Sequence, residues 1–134
     1  MVRLVFEGFV RGVWLKNYAT NDQVDQYYED RLDLKFYKLL EYIEQVPGFE
    51  SKVLSQFKNS AWGSLNSYTH TGVMHSARRF SKEFVEPCYT DDEIIEVLRI
   101  VGSFGLLALQ QIASEAGRLD LSQEAGKRLT SVVA

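Results

Sequence analysis

The sequence predicts an all-α protein, a single-domain helical bundle of five to six helices joined by short connections. Two observations carry that reading. Capping boxes open two of the segments, Thr20-Asn21-Asp22-Gln23 and Thr90-Asp91-Asp92-Glu93, with threonine at the cap and Gln or Glu three residues on. Elsewhere the apolar residues recur at helical spacing, and no stretch keeps the period of two that a half-buried strand requires.

Residues 2–19 read as the first helix. Val2, Phe6, Phe9, Val10 and Val13 form one broad apolar face, with Val5 at its edge. Arg3, Glu7 and Arg11 recur every four residues, on a stripe that also carries Trp14 and Tyr18. Two readings of this stripe stand open: a solvated row with ion pairs across a turn, or a buried polar row beside the aromatic rings. Gly8 and Gly12, each costing ~1 kcal/mol in helix propensity, mark either close approach of another backbone or a relaxed surface position. No capping residue precedes this helix, so the N-terminus is expected to dock against something or to follow an upstream helix.

The first capping box opens a short polar helix, Asn21 to about Glu29. Asp33 is expected to cap a helix over 34–46, in which Phe36, Leu39, Leu40, Ile43 and Val46 make a buried stripe. Pro47-Gly48 stops it, because the residue before proline disfavours helical backbone. A helix over 49–58 then enters the segment 62–80, directly or through a bend near Asn59-Ser60. On that segment Trp62, Leu65, Thr69, Val73 and Phe80 share an apolar face; Asn66 and His70 line its edge, and His75 and Arg78 point away from it. Residues 81–89, with Pro87 inside them, read as a loop.

The second capping box opens the longest helix, 91–116, roughly 39 Å in length. Apolar residues cover most of its circumference, which predicts a central helix packed on several sides with Phe104 in the core. Gly102 and Gly105 would let neighbours come close. Gly117 is placed as the C-terminal cap, and Ser122 is expected to start a last helix bearing Ala125, Leu129, Val132 and Val133.

Composition narrows the class of protein. The 134 residues are 46% hydrophobic and 25% charged, the balance of a globular domain able to bury a core without disulfides or metals. A net charge of −3 makes no overall electrostatic case for nucleic acid or an acidic membrane surface. The single cysteine, Cys88, excludes an internal disulfide. Arg3, Glu7 and Arg11 interrupt the N-terminal apolar run that a signal peptide would need, and no segment is apolar enough to span a membrane. A cytoplasmic location is expected.

The chemistry-bearing residues concentrate in 62–80, which hold both histidines and the adjacent pair Arg78-Arg79. His70 and His75 are five apart, whereas a helical two-histidine metal site needs three or four, so no metal or cofactor is expected. Ser67 lies one turn from His70, but no orienting acid or oxyanion hole accompanies the pair, and Cys88 has no neighbouring base. There is no glycine-rich phosphate loop. What remains is a constellation of Asn66, His70, His75, Arg78 and Arg79, joined by Arg3, Glu7 and Arg11. Histidine serves as acid or base near neutral pH and arginine holds phosphate, so such a set could bind or cleave RNA. It could equally form an inter-helix polar network or a dimer seam.

The segment 2–15, the run Ser67-Tyr68-Thr69-His70-Thr71-Gly72, Ala77-Arg78-Arg79 and the segment 89–117 with Asp92-Glu93-Ile94-Ile95 and Gly105-Leu106-Leu107-Ala108 together resemble a family of uncharacterised bacterial helical proteins. Tyr-Thr-His-Thr-Gly is the most specific part, and the family implies no established activity. More distantly the chain is similar to the HEPN-type bundles of toxin–antitoxin and abortive-infection systems, which implies a dimeric, metal-independent ribonuclease. The HEPN hallmark is an arginine four to six residues before a histidine; before His70 those positions hold Ser64, Leu65 and Asn66. Two functions are therefore expected: a self-associating interaction or regulatory module, or an HEPN-like RNA-binding or RNA-cleaving domain with His70 as acid or base.

Overall fold

The structure, a computed structural model, describes residues 2–69, 84 and 89–133. Among them are six helices and no strand: α1 Val2–Asn17, α2 Asn21–Tyr28, α3 Phe36–Ile43, α4 Val53–Thr69, α5 Asp91–Glu115 and α6 Leu119–Val133. The all-α expectation holds. The chain forms two compact units, Met1–Phe9 with Gly63–Ala134, and Val10–Trp62.

In the first unit, α5 and α6 make a helical hairpin. Thr90 caps α5 as expected: its hydroxyl accepts the Glu93 N–H at 3.3 Å, and its own N–H donates to Glu93 Oε2 at 2.9 Å. Gly117, at φ +69°, ends α5, with the Arg118 N–H on Ala113 O at 2.8 Å and the Gly117 N–H on Ser114 O at 3.1 Å. Two reversed bonds around a left-handed glycine are the Schellman arrangement. Ala113 and Ala125 are buried, one on each arm of the hairpin. A Cβ on Gly126 would stand 3.3 Å from Gln110 Nε2, so glycine suits the approach of α6 to α5. From α1, Phe6 and Phe9 bring their rings to 5.0 and 5.9 Å from Phe104.

The second unit buries Val10, Val13 and Trp14 from α1, Leu39, Leu40 and Ile43 from α3, and Leu54 from α4. Tyr18 meets Tyr42 at 5.4 Å, and Phe36 stacks on Trp62 at 5.1 Å with the planes 13° apart. Lys58 Nζ lies 6.0 Å from the Trp62 ring centre, within cation–π range. The capping box of α2 forms as predicted, Thr20 accepting from Gln23 N–H and donating its own N–H to Gln23 Oε1. No residue of α2 is buried, which fits its polar sequence.

Several expectations are corrected. Asp33 caps nothing; α3 begins at Phe36 after Lys35, which makes no side-chain cap bond. Its far end comes at Ile43, because Gln45 and Val46 tighten into three-residue bonds on Tyr42 and Ile43 carbonyls before Pro47. Residues 49–52 stay outside α4, but from Val53 that helix runs unbroken through Asn59-Ser60 to Thr69. The last helix starts at Leu119, three residues early, where Arg118 O already accepts the Ser122 N–H at 3.0 Å. Among the described residues, a Cβ at Gly8, Gly12, Gly102 or Gly105 would meet nothing within 4 Å, so no described neighbour comes close at these glycines.

The largest correction concerns α5. It is not a helix packed on several sides: Phe104 and Ala113 are its only buried residues, while Leu98 and Ile112 are 64% and 66% exposed. Apolar character around a helix reports what it can bury, and the described fold covers only part of this one.

Candidate functional site

Three predicted site residues stand on α1, where a spacing of four places them along one stripe. Arg3 Nε donates to Glu7 Oε1 at 2.7 Å, and the two side chains are 22% and 19% exposed. Arg11, in the second unit, is half-buried. Trp14, on the same stripe, is 1% exposed. Both readings of the row are thus partly realised: the Arg3–Glu7 ion pair forms, and it forms at the margin of the core.

Asn66 lies in α4, whose backbone is described as far as Thr69. His70, His75, Arg78 and Arg79 fall outside the described residues, as does the expected loop over most of 81–89. Among the described residues no three of His, Cys, Asp and Glu gather as metal ligands. No helix among them is long and apolar enough to cross a membrane.

Two surface features were not anticipated by the sequence reading. In the second unit an open, shallow cleft of about 770 Å³ is lined by Leu15 and Lys16 of α1 and by Val24, Tyr27, Tyr28 and Asp30. Tyr28 is 90% exposed beside it, and Asp30 has φ +54°, a left-handed backbone that aspartate tolerates better than most residues. The signal in the sequence was a pair of adjacent tyrosines on a helix with no apolar stripe. In the first unit the open side of α5 exposes Ile94, Ile95, Val97, Leu98, Leu109 and Ile112, each at 45% or more. At 100° per residue these six side chains fall within roughly 160° of the circumference of one helix.

The electrostatic features near α6 are local. Arg118 donates through Nε to Asp120 Oδ1 at 2.9 Å and through a terminal nitrogen to Oδ2 at 2.7 Å. This fork holds the Asp120 carboxyl below its usual range and the Arg118 guanidinium above its own. Arg128 Nε donates to Glu124 Oε1 at 2.8 Å one turn away, and this hydrogen bond and charge hold the Glu124 carboxyl below its usual range.

No curated protein and no solved structure is matched by this chain. A family of unknown function, DUF6988, matches residues 1–130. The match takes in both units and every described helix but the end of α6, and the protein belongs to that family.

Proposed function

We propose that this protein is a helical interaction or regulatory module that associates with itself, working in the cytoplasm. The observation that supports this is the open face of α5, on which six large apolar side chains remain 45–66% exposed. Burying the exposed half of each such side chain against a partner would gain roughly half of the ~1.5–3 kcal/mol that full burial gives, so the face favours association. Light scattering and sedimentation velocity on the full chain test the reading: a concentration-dependent dimer or larger oligomer at micromolar protein is expected. A monomer throughout that range would overturn it.

A second reading, RNA binding or metal-independent RNA cleavage of the HEPN kind, rests on the sequence of 66–79. There the edge position of His70 beside Asn66 suits a general acid or base, and Arg78 or Arg79 a phosphate contact. His70→Ala should then remove cleavage in chelator-containing buffer by ~10²–10⁴-fold without unfolding the chain. A parent protein with no cleavage, and a His70→Ala variant that only melts earlier, would assign His70 to a structural network.

A further inference from the structure

The open side of α5 has an internal order that its exposure alone does not convey. Ile94, Leu98, Val101, Gly105, Ala108 and Ile112 follow one another at steps of four, three, four, three and four, the a/d seam of a coiled coil. Ile94, Leu98, Gly105 and Ile112 are exposed, and Val101 and Ala108 half-buried. The two buried residues of α5, Phe104 and Ala113, lie on either side of this seam, roughly 90° from it at 100° per residue. So one buried residue stands on each side of the seam, and the seam itself stays open.

Side-chain size along the seam is complementary to itself in reverse. Turned about a two-fold axis near Ser103, Ile94 faces Ile112 of a second copy, Leu98 faces Ala108, and Val101 faces Gly105. Each such layer joins an a position to a d position, the layering of antiparallel helices, and two of the three set a large residue against a small one. A parallel pair would instead face Gly105 with Gly105 and Ala108 with Ala108, leaving voids that close packing penalises. Charge argues the same way. No charged residue interrupts the seam from Ile94 to Ile112, and a parallel pair would crowd two copies of Asp91, Asp92 and Glu93 together. An antiparallel pair sets that acidic turn beside Glu115 alone and opposes the helix dipoles. Ile95 and Leu109, 47% and 45% exposed, flank the seam on one edge and meet across the same axis. A single helix face of this length buries roughly 1,000 Å² in total, below the ~1,200 Å² at which standard stable interfaces begin, so the pair is expected to be weak and concentration-dependent.

We propose that the α5 seam binds the α5 seam of a second copy of this chain, antiparallel and two-fold symmetric, with Leu98 of each copy seated over Ala108 of the other. The proposal rests on the self-association reading above and specifies its surface and register. Its test uses the full chain. Leu98→Glu, at an exposed position that should not disturb the fold, is expected to weaken the dimer by roughly 30-fold or more. With Cys88→Ser as background, oxidation of Leu98→Cys mixed with Ala108→Cys should cross-link the two variants, while each alone should not. A monomeric parent would overturn both the self-association reading and the proposal. A dimer that survives Leu98→Glu would leave self-association standing and remove this face from it. Cross-linking of Leu98→Cys to itself, with none to Ala108→Cys, would show a parallel pair and overturn the register.

Discussion

The rings of Phe6 and Phe104 meet at 5.0 Å with their planes inclined by 56°, tying the start of α1 to the middle of α5. The tilt brings ring edge toward ring face, the geometry the aromatic quadrupole favours. Phe6 is fully buried and Phe104 nearly so, and Phe9 closes on the same ring from the next turn. Phe104→Ala should therefore cost ~3–5 kcal/mol in chemical denaturation. A variant as stable as the parent would mean that this aromatic group does not hold α5 in place.

The Thr90 cap carries a second prediction. Its hydroxyl and the Glu93 carboxylate satisfy two backbone donors reciprocally at the start of a 25-residue helix. Thr90→Ala should lower stability by about 1 kcal/mol, and Thr90→Ser should restore most of it. Equal melting temperatures for all three proteins would show that the box is formed but idle.

Glu44 caps a helix it does not belong to. Lys52, which precedes α4 at φ +57°, has no acceptor in its side chain to cap the first N–H groups there, and Glu44 at the end of α3 supplies one, its Oε1 accepting the Ser55 N–H at 2.9 Å. Glu44→Ala should destabilise the chain by ~1–2 kcal/mol, whereas Glu44→Gln, which keeps the acceptor, should cost less. Amide hydrogen exchange at Ser55 should quicken in the alanine variant, and an unchanged rate there would refute the cap.

Acid should test the Arg118–Asp120 fork. A carboxyl whose pKa is lowered by folding contributes stability at pH values above its unfolded pKa, and that contribution is lost as the pH falls through the folded pKa. Asp120 should thus titrate below the ordinary aspartate range by NMR and return toward it in Arg118→Gln. Both groups are exposed, so the change in overall stability should be small, and the titration is the decisive measurement. An Asp120 pKa that Arg118→Gln leaves unmoved would sink the assignment.

The all-α class, both capping boxes, Gly117 as the end of α5 and the burial of Leu39, Leu40, Ile43 and Phe104 were legible in the residues alone. The reason is that caps and helical periodicity are short-range: their partners lie within four residues, where spacing is geometry. The candidate site was legible only as a set of residue types. Arg3 and Glu7 could be paired from their spacing, but whether that pair sits in water or at the core margin depends on what packs beside it. The start of α3 at Phe36, the borrowed cap from Glu44 and the cleft beside Tyr28 had no such local signature, since each involves neighbours supplied by the fold. For α5 the contrast is clearest. Its sequence established an apolar helix, but circumference alone cannot say how many sides find a partner within one chain. Only the tertiary structure decided that: it buries Phe104 and Ala113 of α5 and leaves Ile94, Leu98 and Ile112 facing out, because burial is a property of neighbours and not of the residue that carries the hydrophobic surface.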